Sequence, residues 1–256
     1  MTRAMPRVVA AAVVALGCAA LLRAQARDSR SLDAASQQAT GPASGKSPKE
    51  AAPIDLTGYW VSIVTEDWRF RMVTAPKGDY PNVPLNAEGK KVADAWDPAK
   101  DEKTDRCKAY GAPNIMRVPG RFHITWADDR TLRIETDAGM QTRLLHFVAA
   151  NPQSGAPPPL QRQGYSAANW EGKAALKVVT TRLQDGYLQT NGVPYSNKAA
   201  MMEFFDVVNE PNGDQWLIIN TIVDDPTYLT RTFVRSTHFR KQADGSGWDP
   251  SPCLVR

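Results

Sequence analysis

From about Arg121 onward the chain alternates apolar and polar residues in short runs divided by turn-forming residues. Side chains along a strand point to opposite faces in turn, so this period of two predicts half-buried β-strands. The runs fall at 121–126, 131–136, 140–148, 174–183, 200–208, 215–224 and 230–240. Between them stand Pro119-Gly120, Asp128-Asp129, Asp137-Ala138-Gly139, Asp185-Gly186, Asn191-Gly192, Pro211-Asn212-Gly213-Asp214 and Asp224-Asp225-Pro226, residues that supply tight turns. An earlier run over 58–73 brings the expectation to about eight antiparallel strands. A helix is predicted over 86–96, with Asn86 as its cap, Val92, Ala93 and Trp96 on one side and Pro98 beyond its end. Residues 149–162, including Pro157-Pro158-Pro159, read as a long loop. A sheet of this size must hide its edges, and closing into a barrel does so completely. The expected fold is mainly β: a lipocalin-like antiparallel barrel with one short helix and an interior able to hold one small ligand. A two-sheet sandwich is the alternative.

The N-terminal pattern differs. Arg3 and Arg7 precede an apolar run over 8–22, and Ala24-Gln25-Ala26 supplies small residues for cleavage after Ala26. Residues 1–26 therefore read as a secretory signal peptide. The run is shorter than the roughly 20 residues that cross hydrocarbon, so no stable membrane span is expected after processing. Alternatively, Ala15-Leu16-Gly17-Cys18 forms a lipobox, with a lipoprotein anchored at Cys18. Either route leads outside the cytoplasm, to the periplasm or beyond. Residues 27–53 carry no apolar period and read as a disordered linker; 54–242 form the barrel domain and 243–256 a C-terminal tail. With Cys18 assigned to the leader, Cys107 and Cys253 remain. In an oxidising compartment they pair most simply as one disulfide that pins the tail, the alternative being two free thiols.

Composition narrows the function classes. The chain is 42% hydrophobic and 23% charged, with a mean hydropathy of −0.42, which excludes a polytopic membrane protein. From residue 27 on there are 28 basic residues against 27 acidic ones, so no basic surface for nucleic acid is implied. No Walker A loop and no dinucleotide GxGxxG occur, and two cysteines without CxxC beside three histidines do not compose a zinc site. No cofactor and no metal are expected. Ser166 and Ser196 lie outside any GxSxG nucleophile elbow.

Gly58-Tyr59-Trp60 resembles the Gly-x-Trp signature of lipocalin-type barrels, where the Trp closes one end. A longer series is similar to a family of secreted bacterial proteins: Asp55-Leu56-Thr57-Gly58-x-Trp60, Asp97-Pro98, Cys107, Gly164-x-Ser166, Trp170-Glu171-Gly172, Gly192-x-Pro194-x-Ser196, Glu203-x-Phe205 and Asp224-Asp225-Pro226. The resemblance spans about 55–241 and implies a secreted β-domain; it names no reaction. In that family His often stands where this chain has Tyr165 and Tyr195, so the resemblance carries no His chemistry or metal over to those positions.

Candidate site residues come first from 58–73. As one strand, it places Trp60, Ser62, Val64, Glu66, Trp68, Phe70 and Met72 on one face, and Thr65, Asp67, Arg69 and Arg71 on the other. Glu66 in an apolar row suits a proton donor or a ligand anchor, or else pairs with a core Arg. Arg143, alternating with Leu145 and Phe147, points inward on this reading; Arg143 or Arg117 is the expected partner of Glu66 or of a ligand's anion. His123 and His238 fall on solvated faces, His238 beside Ser236 and Arg240, while His146 reads as a core histidine. Tyr165, Trp170, Tyr187 and Tyr195 fall on loops or strand ends.

These residues lead to a barrel that binds a small amphiphilic or aromatic molecule, with Trp60, Trp68, Phe70 and Met72 as walls and Glu66 and Arg143 as anchors. One alternative is a cofactor-free acid–base enzyme, a lyase, isomerase or hydratase, using Glu66 with Tyr165 or Tyr195. Another is an envelope interaction domain with a filled core.

Overall fold

In the computed structural model, residues 45–147, 157–172 and 174–255 are described. The signal peptide, the cleavage site after Ala26, the lipobox at Cys18 and most of the expected linker lie outside them.

Nine strands close into a barrel. In chain order they are β1 (Gly58–Ile63), β2 (Arg121–Asp128), β3 (Thr131–Thr136), β4 (Thr142–Phe147), β5 (Tyr165–Glu171), β6 (Ala175–Thr181), β9 (Ala200–Asn209), β10 (Gln215–Asp224) and β11 (Phe233–Gln242); a two-stranded hairpin, β7 (Gly186–Gln189) with β8 (Val193–Tyr195), stands outside the ring. β1 pairs with β2 on one side and β11 on the other, Tyr59 opposite both His123 and Gln242. Every barrel pairing is antiparallel except β4 with β5, where Leu145 lies opposite Ser166 in a parallel register. The chain between Phe147 and Tyr165 joins these parallel strands; residues 148–156, which include most of the expected long loop 149–162, lie outside the described residues.

The barrel is therefore the expected fold with one strand more, and the sandwich is set aside. β5, β7 and β8 were not legible as strands. β5 carries Ala167-Ala168-Asn169, residues of low strand propensity, and β7 and β8 are very short. The described helices number four rather than one: α1 (Trp68–Arg71), α2 (Ala87–Asp94), α3 (Pro98–Thr104) and α4 (Ala112–Ile115), with a 3-10 turn at Lys108–Tyr110. α2 starts as the sequence predicts, the Asn86 side chain accepting from the Gly89 N–H at 2.8 Å.

The first strand is shorter than expected. β1 ends at Ile63, and the chain turns through Asp67 (φ 55°) into α1. Thr65-Glu66-Asp67 puts three polar residues in a row, and both carboxylates find arginines off the strand path. Those pairs replace the ladder that a longer strand would have made.

The interior is filled. Trp60, Phe122, Leu132, Leu145, Leu176, Phe205, Leu217 and Phe239 belong to one buried cluster, and the Phe122 and Phe239 rings meet edge to face at 4.4 Å. Trp60 is fully buried, its indole N–H bonded to the Leu56 carbonyl at 2.9 Å. Residues 45–53, expected as the end of the linker, lie against the barrel. The Trp170 indole donates to the Pro48 carbonyl at 2.8 Å, and the Lys49 N–H donates to the Asp129 carbonyl at 3.2 Å.

The tail is fixed as anticipated. Cys107 and Cys253 form a disulfide across 146 residues of sequence. Beside it, Ser251 donates its N–H to the Asp137 carbonyl and accepts at its own carbonyl from the Gly139 N–H, at 2.9 and 2.8 Å. Gly139 sits at φ 77° with Tyr110 so close that an added Cβ would come within 2.2 Å of the ring. That crossing requires glycine.

Candidate functional site

Two polar groupings break the apolar pattern of the barrel. The first lies in its interior. β4, β5, β6 and β9 alternate so that Arg143, Ser166, Thr180 and Glu203 all face inward, and each is almost wholly buried. The Arg143 guanidinium is hydrogen-bonded to the Glu203 carboxylate and donates to the Thr180 hydroxyl at 2.8 Å; the Ser166 and Thr180 hydroxyls share a hydrogen bond of 2.8 Å. Arg143 Nη1 and Glu203 Oε1 have no hydrogen-bond partner. Arg143 points inward as the sequence implies, but its partner is Glu203, not Glu66. The signal for Glu203 was present: it alternates with Met201 and Phe205 on a strand already recognised.

The second grouping lies where β1 gives way to α1. Here Arg71, Arg117 and Arg235 converge on Glu66 and Asp67. Arg71 holds Glu66 through one guanidinium nitrogen and the Arg117 carbonyl through Nε at 2.9 Å. Asp67 Oδ2 receives Arg117 Nη2 at 2.9 Å and Arg235 Nε at 3.0 Å, and Asp67 Oδ1 accepts from the Asn82 amide at 3.1 Å. Three cations face two carboxylates, leaving an excess of one positive charge. Burial pushes the Arg117 guanidinium down to about 10, against the pull of Asp67, so it stays charged at neutral pH. Burial also lowers Arg71. For Asp67, burial acts upward, but Arg117 and Arg235 outweigh it and hold the carboxyl below its ordinary range.

This gives a pH signature. A carboxylate depressed in the folded state stabilises the fold above its unfolded pKa, about 3.9, and that stability is lost as pH falls through the folded value. The stability gap between wild type and Asp67→Asn is expected to be constant above about pH 5 and to shrink below about pH 4. Denaturant unfolding across that range checks it; a gap unchanged at pH 3 contradicts it.

Arg71 and Arg117 line a small cleft with Phe70, Tyr110, Asn114 and Val118. Its depth has room for about one water molecule. Both guanidiniums carry a buried nitrogen without a hydrogen-bond partner, Arg71 Nη2 and Arg117 Nε.

The structure separates the other expected site residues. Trp60 is a core residue, not a cavity wall. Trp68 and Met72 are 63% and 52% exposed, because α1 replaces the strand that would have turned them inward. Phe70 is half-buried. Glu66 lies outside the barrel interior, its side chain 25% exposed, with Thr65, Arg71 and His238 as its polar partners. Tyr165 and Tyr195 are not among them. Tyr165 stacks on His146, ring centroids 5.2 Å apart, and His146 faces outward rather than into the core. Tyr195 is buried in a second apolar cluster with its hydroxyl unpartnered, and burial raises its pKa. His123 lies flat on Tyr59 at 4.0 Å. Tyr187 donates to Asp101 at 2.8 Å; Trp96 and Lys108 bond the same carboxylate, which is thereby satisfied. Among the described residues no group of three or more His, Cys, Asp or Glu is placed to hold a metal ion.

No protein-family model and no curated protein matches this chain.

Proposed function

We propose that the protein is an exported β-barrel that binds a small amphiphilic or aromatic molecule through an anionic group. The binding place is the arginine-lined cleft at the end of β1, not the barrel interior, which is filled by side chains. The observation that carries this reading is the pair of buried guanidiniums, Arg71 and Arg117, each with an unpartnered nitrogen, that line a cleft in a region of net positive charge. A buried donor without an acceptor costs roughly 1–3 kcal/mol, and a carboxylate or phosphate oxygen removes that cost. Phe70, Tyr110 and Val118 line the same cleft, which admits only the ligand's anionic oxygen; the body of the ligand stays outside it. Trp68 and Met72 stand exposed on the same short segment.

Export rests on the leader pattern of residues 1–26, and the disulfide supports an oxidising compartment. The resemblance to secreted bacterial β-domains agrees with both. The acid–base alternative loses support from the geometry, since Glu66 has neither Tyr165 nor Tyr195 beside it.

The test is binding at low ionic strength by calorimetry, with benzoate, inorganic phosphate and benzyl alcohol as probes. Benzoate is expected to bind and raise the melting temperature, and benzyl alcohol to do neither. Arg71→Gln and Arg117→Gln are each expected to weaken benzoate at least tenfold while the protein stays folded. Phosphate binding without benzoate binding would assign the cleft to a phosphate-bearing ligand. Equal response to benzoate and benzyl alcohol, or binding unchanged in both variants, would overturn the reading.

A further inference from the structure

On the outer face of the barrel, β11 places Ser236 and His238 two residues apart and on the same side. The Ser236 Oγ lies 3.3 Å from His238 Nε2. On the other side of the ring, His238 Nδ1 lies 3.3 Å from Glu66 Oε2 and 3.3 Å from Thr65 Oγ1. The Thr65 hydroxyl donates to the same Glu66 oxygen at 2.8 Å. Nδ1 therefore faces a carboxylate that can only accept, which places the ring proton on Nδ1. The Nε2 lone pair is left toward the serine hydroxyl. This is the order of nucleophile, base and orienting acid, recognised by roles rather than by sequence position.

The supporting groups are held in place. Glu66 is fixed by Arg71, whose side chain is fully buried and itself tied to the Arg117 carbonyl. His238 and Glu66 are 26% and 25% exposed, so the pair is partly screened but open to a small molecule. β1 leaves the ladder at Ile63, opposite His238, so nothing in the sheet covers β11 on that side of Ser236. Directly across from Ser236 on β10 stands Asn220, exposed, with no hydrogen bond from its side-chain amide among the described contacts. Opposed residues of an antiparallel pair have Cβ atoms about 4.5–5.5 Å apart, within reach of one bound carbonyl group. Asn220 thus supplies the donor for a developing oxyanion. Ile222 and Val234, paired on the same face, give an apolar floor for a short acyl chain.

We infer that Ser236, His238 and Asn220, with Glu66 as the positioning residue, form a nucleophilic site that hydrolyses small carboxylic esters. This goes beyond the binding reading and does not depend on a ligand in the arginine cleft. Ser236 Oγ adds to the ester carbonyl carbon and its proton passes to His238 Nε2. The bond from carbon to the leaving oxygen breaks, and His238 returns the proton to that oxygen, releasing the alcohol. Water then adds to the acyl-serine, giving its proton to His238. The carbon–Oγ bond breaks, the carboxylic acid leaves, and Ser236 recovers the proton.

The test uses the folded chain with a fluorophosphonate probe, read by peptide mass spectrometry, and with p-nitrophenyl butyrate. A covalent adduct is expected on Ser236 and absent in Ser236→Ala. Ester turnover is expected to fall at least a hundredfold in Ser236→Ala and His238→Gln, and about a hundredfold in Asn220→Ala. His146→Gln serves as the control for surface imidazole and keeps the wild-type rate. For Glu66, nitrogen NMR of His238 is expected to show the Nδ1–H tautomer in wild type and a mixture of tautomers in Glu66→Gln. An unmodified Ser236 in folded protein overturns the proposal. So does turnover equal in wild type, Ser236→Ala and His238→Gln.

Discussion

Replacing Glu203 with leucine while Arg143 remains is expected to cost about 3–5 kcal/mol, the usual penalty for leaving one buried charge without its partner. Glu203 is completely buried and Arg143 is 2% exposed, so water cannot take over. The Ser166 and Thr180 hydroxyls do not compensate, since neither carries a charge. The pair itself is a weaker source of stability than that number suggests. Both ions had to leave water, and one guanidinium nitrogen and one carboxylate oxygen remain unmatched. The double replacement Arg143→Met with Glu203→Leu is therefore expected to recover most of the loss and to fall within about 1–2 kcal/mol of wild type. Urea unfolding of the two single variants and the double variant checks this. A double variant as unstable as the sum of the singles would mean no coupling between Arg143 and Glu203 and would overturn this account.

Removing the disulfide is expected to have an effect of similar size for a different reason. Cys107 and Cys253 close a loop of 146 residues. Chain-entropy arguments give about 5 kcal/mol for a closure that long, and native disulfides usually contribute about 2–5. Cys107→Ser with Cys253→Ser is expected to lose stability within that range. Because much of the effect acts on the unfolded chain, which becomes less compact, the denaturant slope should rise as the midpoint falls. The amide protons of Gly139 and Ser251, which tie the tail to the β3–β4 turn, should lose protection ahead of the barrel. A midpoint unchanged by reduction would place the stability of the tail in its hydrogen bonds alone.

The barrel could be read from the chain because its strands alternate over local windows, and alternation reports burial of one face whatever the partner is. Trp60 and Arg143 were placed inward for that reason, and both point inward. The identity of Arg143's partner was not local information. Glu203 is 60 residues away, and the two meet only because β4, β5, β6 and β9 lie side by side in the ring. The error over Glu66 has a clear origin. Extending the period of two from Trp60 to Met72 ignored Thr65-Glu66-Asp67, where three polar residues in succession break the alternation. Beyond that break the chain follows its charges: Glu66 and Asp67 turn toward arginines from α1, from the segment after α4 and from β11. The Ser236–His238 spacing was visible and was read as a solvated face. What it lacked was Glu66, brought over from the other end of the chain.

The barrel seam joins the first strand to the last, Tyr59 against Gln242. The ring therefore cannot be sealed by any fragment that has yet to acquire β11. Contacts that bridge nearly the entire polypeptide must wait for a long loop to close, which slows folding. During that wait β1 and β10 both present unpaired edges, ready to add a strand from a neighbouring copy. Maturation of this protein is thus a race between sealing its own seam and aggregating, and the outcome should turn on how dilute the newly made chains are kept.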